Sequence, residues 1–382
     1  MPKILRISTV PSSLNILLKG QLKFLNRYFE ITAVSGSGID LKEVQKREDV
    51  NIHVIEMQRQ ISPFKDLVSL IKLYTYFRKV KPELIHSITP KAGLLSMLAG
   101  KLAGVPVRIH TFTGLVFPYK TGIMQKLLIT MDKLLCYCAT DIFPEGKGVM
   151  NDLIKFNITD KPLKIIANGN VNGIDLDFFD PDVISYSQKQ TLKTALSIKE
   201  DDFVFLFVGR LVRDKGINEL VRAFNQLNSE VDNIKLLLVG PFEEELDPIL
   251  TETKRSIEEN SNIISVGFQK DVRPYFAISD IFVFPSYREG FPNVVLQSLA
   301  MNVPAIVTDI SGSNEIINKH INGMIVDVKN ELQLLEAMCE IYKNPAFLEK
   351  LIKNSRISVR KFGNKLVWEE IKELYMKKLN NY

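Results

Sequence analysis

Two cations stand five positions apart in a glycine-flanked loop, Gly209-Arg210-Leu211-Val212-Arg213-Asp214-Lys215-Gly216, directly after the apolar run Phe203–Val208. Both side chains can turn to one ligand at the end of such a strand, and the chemistry that suits two fixed cations is a diphosphate. Further on, Phe282 to Met301 reads strand, loop, helix: Pro285 stops the strand, Glu289-Gly290-Phe291-Pro292 make a turn, and the apolar run from Val294 follows Asn293. Pro292 suits a first helical turn, and amides near a helix N-terminus attract phosphate oxygens. Glu289 beside that anion site is an acceptor for sugar hydroxyls. On spacing alone each loop has a plainer reading, the solvated crossover loop of any α/β chain.

The elements that must hold these loops alternate strand and helix. Strands are expected at Lys3 to Ser8, Glu30 to Val34, Asn51 to Ile55, Glu83 to Ser87, Pro106 to Ile109, Asp141 to Phe143 and Leu163 to Ile166. A second series runs Phe203 to Val208, Ile234 to Val239, Ile263 to Val266, Ile281 to Phe284, Ala305 to Val307 and Met324 to Val326. This alternation predicts two doubly wound α/β domains, each a parallel sheet covered on both faces, with a cleft between them as the default site. An amphipathic helix is expected over Leu14 to Leu25, with Lys19, Lys23 and Arg27 on its polar side. A second covers Phe64 to Val80, with Leu67, Leu70, Ile71, Tyr74 and Phe77 toward the core and Lys65, Lys72, Arg78 and Lys79 outside. Turns with two Asn-Gly pairs interrupt the pattern between Ile165 and Asp175, and a polar stretch after Asp180-Pro181 makes a linker. The domains are set at 1–177 and 178–360, followed by a last helix within 361–382.

The loops resemble the donor-binding segments of family-4 retaining glycosyltransferases of the GT-B fold. Their diphosphate motif G-R-L-x-x-x-K-G is matched at Gly209, Arg210, Leu211, Lys215 and Gly216, and P-S-x-x-E-G-F at Pro285 to Phe291. The resemblance implies that Arg210, Lys215 and Glu289 serve catalysis, and that Gly209, Gly290, Phe291, Pro292, Asn293 and Val294 help to bind the nucleotide sugar. The second acidic position of that motif is Gln297 here, which keeps a carbonyl acceptor for the ribose but loses the charge. Val266-Gly267-Phe268 resembles the family's base-contacting segment, with Gly267 and Phe268 the residues concerned. Ser311 to Ile316 resembles the loop after the next strand, and its plainer reading as a helix cap with Ser313 as N-cap is preferred. Asn172-Gly173-Ile174-Asp175 matches the family's N-G-V-D at the interdomain crossing; the resemblance implies that the first domain binds the acceptor and the second the nucleotide sugar, and that the last helix returns to the first domain.

Two departures fall in the first half. Relatives read T-x-H-G where this chain has Thr111 to Gly114, so Thr113 occupies the place of a histidine that touches the transferred sugar. His110, earlier on the strand and placed on the same side by period-two alternation, is the candidate substitute; a histidine satisfied within the sheet is the other reading. The loop after the first strand lacks the glycine pair of relatives. The resemblance implies transfer from a nucleotide-diphosphate sugar, UDP being expected, to a glycan or lipid-linked acceptor in cell-surface polysaccharide assembly. It implies no metal or cofactor, the cations supplying the charge. A non-hydrolysing UDP-sugar epimerase and a non-catalytic partner subunit are the alternatives.

Composition bounds this reading. The 382 residues suit two domains, and 46% hydrophobic with 24% charged residues is a globular balance. No run of eighteen apolar residues and no signal-peptide pattern is present, so a cytoplasmic protein is expected. Cys136, Cys138 and Cys339 make neither a disulfide framework nor a metal cluster. Residues 1–177 carry 24 Lys+Arg against 15 Asp+Glu, and the remainder 25 against 29. A basic first half predicts an anionic partner, and docking on anionic membrane through Lys19, Lys23, Arg27, Lys65, Lys72, Arg78 and Lys79 is the expectation. Nucleic acid is disfavoured because the basic residues are scattered and no recognition motif is present.

Overall fold

The computed structural model describes residues 1–245 and 247–381. The chain divides into two compact units, one of Met1–Gly173 with Asn364–Tyr382, the other Ile174–Gly363.

The first unit holds β1 (Lys3–Ile7), β2 (Glu30–Ser35), β3 (Asn51–Val54), β4 (Leu84–Ser87), β5 (Val107–Phe112) and β6 (Asp141–Pro144), all parallel in the order β3-β2-β1-β4-β5-β6. Side chains alternate across each strand, so the sheet feeds two cores. Ile4 and Ile31 pack with Leu14, Leu22 and Leu41 on one face, whereas Leu5 and Ile85 pack with Phe77, Met97 and Leu135 on the other. The last helix, Asn364–Leu379, belongs to the first of these cores through Val367, Ile371 and Tyr375. Leu163 to Ile166 forms no strand; a single bridge from Leu163 to Ile142 is all that extends the sheet, since Pro162 lacks a ladder donor and the chain turns at Ala167 (φ 51°).

The expected helix over Leu14 to Leu25 is two helices, Pro11–Leu17 and Gln21–Leu25. Gly20, at φ +81°, breaks them, and a Cβ there would stand 2.6 Å from the Trp368 ring. The helix Pro63–Val80 forms, but only part of its apolar stripe is covered. Leu73 and Phe77 are buried, whereas Phe64, Leu67, Ile71 and Tyr74 are exposed. The stripe is wider than the neighbouring helix Pro90–Ala103 can cover.

The second unit holds β7 (Phe203–Val208), β8 (Ile234–Val239), β9 (Ile263–Ser265), β10 (Ile281–Phe284), β11 (Ala305–Thr308) and β12 (Gly323–Val326), parallel in the order β12-β11-β10-β7-β8-β9. Central β7 is buried from Val204 on, as a continuous apolar run in a doubly covered sheet must be. The strand order reverses direction between β7 and β10, so the loops after these two strands open at a topological switch point. Those are the loops that carry Arg210, Lys215 and Glu289.

Candidate functional site

The loop after β7 is bound to the loop after β10. Lys215, in a 3₁₀ turn over Arg213–Lys215, pairs its Nζ with Glu289 Oε1. Ser286 Oγ donates to the same carboxylate oxygen at 3.0 Å, and Lys215 Nζ lies 5.4 Å over the Phe284 ring. The Tyr287 amide donates to the Asp214 carbonyl at 2.8 Å, Arg288 pairs with the Asp214 carboxylate at 2.7 Å, and the Tyr287 hydroxyl donates to Glu219 at 2.7 Å. Gly216 permits this approach: its φ is +72°, and a Cβ would stand 2.1 Å from the Pro285 carbonyl. Gly240 does the same for the strand ends, where a Cβ would stand 1.8 Å from the Gly209 carbonyl. A charge pair with an acceptor and a donor is thus held on a braced floor, with the Lys215 and Glu289 side chains only 17% and 18% exposed.

Arg210 leaves the same loop on the solvent side, 53% exposed and paired with Glu243. Pro292 immediately precedes the helix Asn293–Ala300, so the first-turn residues Asn293 and Val294 follow the Glu289 turn. Gln297 lies one turn beyond Asn293 on the same helical face. Phe291 is 6% exposed and packs against Phe362 at 5.5 Å between ring centres, so its side chain belongs to the core and only its backbone is left for a ligand. Gly267 follows β9 at φ +65°, with nothing within 4 Å of the position of a Cβ, and Phe268 is 74% exposed.

Sequence reasoning misread the Ser311 to Ile316 loop. Gly312, at φ +77°, precedes the short helix Ser313–Ile316, and Ser313 is its first residue rather than its cap. Ser313 Oγ is buried without a hydrogen-bond partner among the described residues, and a Cβ on Gly312 would stand 2.3 Å from the Gly290 carbonyl. This loop therefore lies against the Glu289-Gly290 turn, and the adjacent Gly-Ser was the available signal.

His110 is a correction. It lies three positions before Thr113, an odd offset, so alternation sends the two to opposite sides of the strand. It is 1% exposed, its Nδ1 lies 2.8 Å from Ser87 Oγ, its ring meets Phe112 edge-on, and a Cβ on Gly93 would stand 2.5 Å from it. Burial lowers its pKa to about 3, so the ring is neutral and satisfied within the sheet. Thr113 donates its hydroxyl to the Ile88 carbonyl at 2.9 Å. The glycine-free loop after β1 is tied by Thr9 and Thr89, whose hydroxyls lie 2.8 Å apart.

Comparison with known proteins gives these loops a context. The family model described as glycosyl transferases group 1 matches residues 188–358, and that described as glycosyl transferase 4-like matches residues 6–145. The chain is 32% identical over 376 residues, 98% of its length and 96% of the relative's, to the capsular polysaccharide biosynthesis glycosyltransferase CapM of Staphylococcus aureus. It is 28% identical, over 83% of this chain and 81% of the other, to the UDP-Gal:alpha-D-GlcNAc-diphosphoundecaprenol alpha-1,3-galactosyltransferase of Escherichia coli. Among solved structures, Anabaena Alr3699/HepE in complex with UDP matches with a TM-score of 0.82 at 17% identity, covering 99% of this chain and 100% of that one. The chain belongs to the group 1, family-4-like glycosyltransferases of GT-B fold, a family that includes bacterial polysaccharide enzymes and enzymes acting on lipid-linked acceptors.

Proposed function

We propose that the protein is a retaining glycosyltransferase that moves a hexosyl or N-acetylhexosaminyl group from a UDP-sugar to a lipid-linked acceptor, without a metal. The observation that carries this is the Lys215–Glu289 pair, which joins the two motif loops at the switch point of the second sheet. When the bond from the anomeric carbon to the diphosphate breaks, negative charge grows on the leaving oxygen, where Lys215 and Arg210 stabilise it more in the transition state than in the ground state. The acceptor oxygen bonds to the same face of the sugar and its proton passes to the departing phosphate, so UDP and the glycosylated acceptor are the products. Glu289, oriented by Ser286 and Lys215, accepts hydroxyls of the transferred sugar. The relatives with UDP and lipid-diphosphate acceptors in their names support this choice of substrates. Incubation with radiolabelled UDP-sugars and lipids extracted from the producing cell's membranes tests it. Label is expected in the chloroform–methanol phase with the anomeric configuration of the donor; an epimerised UDP-sugar formed without acceptor would favour an epimerase instead.

Gln297 is read as the ribose contact. Gln297→Leu is expected to remove a hydrogen bond worth ~0.5–1.5 kcal/mol net, weakening UDP several-fold with less effect on the chemical step. Calorimetry of UDP binding checks this, and equal affinity in both proteins would show that the side chain does not face the ribose.

Membrane docking belongs to the same reading, on a revised surface. The unit of Met1–Gly173 and Asn364–Tyr382 carries 28 Lys+Arg against 16 Asp+Glu. Lys23 in the helix Gln21–Leu25, with Lys19 and Arg27 in the turns flanking it, lies on one face of its sheet, and Lys65, Lys72, Arg78 and Lys79 belong to a helix on the other, so the seven do not share one surface. The favoured face is the second. There exposed Phe64, Leu67 and Ile71 lie with Lys65 and Lys72, and the helix Gly122–Cys138 adds exposed Ile123, Met124 and Lys126. Apolar side chains among lysines suit an anionic bilayer interface, each lysine contributing on the order of 1 kcal/mol near it. Sedimentation with phosphatidylglycerol-containing vesicles is expected to exceed that with neutral ones at low salt and to fall in Phe64→Glu and Ile123→Glu. Equal sedimentation with both vesicle types would overturn the docking surface.

A further inference from the structure

The first unit contains a cavity of about 420 Å³ at the carboxyl ends of β1, β4 and β5. Leu94, Phe112, Leu115 and Leu128 give it apolar walls, and Thr9 and Thr89 stand at the strand ends. Three charged side chains line it: Arg59, Lys91 and Asp132. Lys91 is largely neutralised by its pair with Asp66. Arg59 is exposed.

Asp132 differs from both. It projects from the helix Gly122–Cys138, and its carboxyl forms no hydrogen bond or ion pair with any described residue. Asp132 is partly exposed, so its carboxyl meets the water of the cavity, and among the described residues it pairs with no cation and braces no loop. Burial raises its pKa to about 7, and the neighbouring Cys136 thiol, itself pushed up to about 12, offers no compensating charge. Maintaining an unpaired acid in an apolar wall costs stability, a cost usually met at sites that bind or react. The volume falls in the range of small-molecule sites, roughly 300–1,000 Å³, and apolar walls with a few polar groups suit the alternating C–H and O–H surfaces of a sugar.

We propose that this cavity receives the acceptor's terminal sugar and that Asp132 is the specificity-determining residue, accepting a hydrogen bond from one of its hydroxyls, while Arg59 meets the phosphate that links the sugar to its lipid. The inference rests on the glycosyltransferase reading, with its lipid-linked acceptor, and adds to it the side chain that selects that acceptor. A carboxylate accepts a hydroxyl hydrogen bond more strongly than a neutral acid. Because Asp132 ionises as pH rises through about 7, acceptor use improves over that interval. Asp66 with Lys91, Arg59, and Cys136 on the same helix are the other titratable or charged groups facing the cavity or Asp132.

The test compares wild type, Asp132→Asn and Asp132→Leu in transfer of radiolabelled sugar to the membrane lipid extract between pH 6 and 8.5. UDP binding by calorimetry, donor hydrolysis to water and Tm are read in parallel. Wild type is expected to need less extract for half-maximal rate at pH 8 than at pH 6, and Asp132→Asn to lose this dependence. Asp132→Leu is expected to need about tenfold more extract at pH 8, with UDP binding and donor hydrolysis unchanged. Its Tm at pH 8 should rise. The stability that a raised carboxyl pKa contributes is complete at low pH and is lost as pH climbs through about 7, so removing the acid relieves the folded state above that pH. Unchanged extract dependence in both variants, or a Tm that falls in Asp132→Leu, would overturn the proposal. A wild type that hydrolyses the donor but labels no lipid would overturn the phosphate-linked acceptor. A wild type that binds no UDP would bring down the glycosyltransferase reading, and this inference with it.

Discussion

Lys215→Ala is expected to slow turnover about a hundredfold while leaving the Michaelis constant for the UDP-sugar within a few-fold of wild type. A donor aimed at charge that develops in the transition state is worth roughly 3 kcal/mol when the site excludes water. Lys215 meets those terms, being 17% exposed, held by Glu289 and set over the Phe284 ring. Arg210→Ala is expected to act in the same direction with a smaller loss, because its side chain is 53% exposed and its pair with Glu243 is screened by solvent. Steady-state kinetics with saturating acceptor separates the two outcomes. If turnover holds and only the Michaelis constant for the donor rises, both residues bind and do not catalyse.

Gly216→Ala carries the second large effect, and it falls on stability and activity together. The left-handed backbone at φ +72° costs an alanine roughly 1–2 kcal/mol, and the added Cβ would stand 2.1 Å from the Pro285 carbonyl, so the two loops must part. A unit of this size loses ~2–4 °C of Tm per kcal/mol, which predicts a fall of about 5 °C or more. Gly104→Ala is the control, since Gly104 has φ +77° but nothing within 4 Å of the position of a Cβ. It should show the backbone cost alone. Turnover per folded molecule should drop in Gly216→Ala, because Lys215 and Glu289 then leave their joint position. Equal Tm losses in the two variants would contradict the close approach of the loops.

Both predictions depend on loops whose residues were legible in the sequence. A short run of Phe, Val and Leu ended by glycine, as Phe203–Val208 is, reads as a buried strand, and Pro285 and Gly216 mark where a strand stops and where backbone must approach backbone. The sheet order that brings those loops side by side was not legible in the same way, since it depends on β10 pairing with β7 across 76 residues, as Phe205 does with Ile281. Local pattern misled where two physical readings share one spacing. Gly20 fits a helical period yet takes a left-handed conformation, which only the packing of Trp368 against it makes evident. Leu67 and Ile71 have core spacing on a helix whose neighbours do not reach them. His110 has the chemistry of a catalytic group, and its environment, Ser87, Phe112 and Gly93, comes from elements distant in sequence or from the buried side of its own strand. Asp132 carried no motif at all, because nothing local distinguishes a solvated aspartate on a helix from one that lines a cavity.

The central claim is that the loops holding Arg210, Lys215 and Glu289 form a nucleotide-diphosphate site that needs no metal. A thermal-shift and calorimetric series with UDP, GDP, ADP and their common sugars, run in the presence of EDTA, tests it most directly, since a ligand that binds the native state raises its Tm. The predicted result is saturable binding of UDP with a raised Tm, weakened in Lys215→Ala and unaffected by EDTA. No shift with any of the nucleotides, or a shift that disappears in EDTA and returns with added divalent cation, would contradict it.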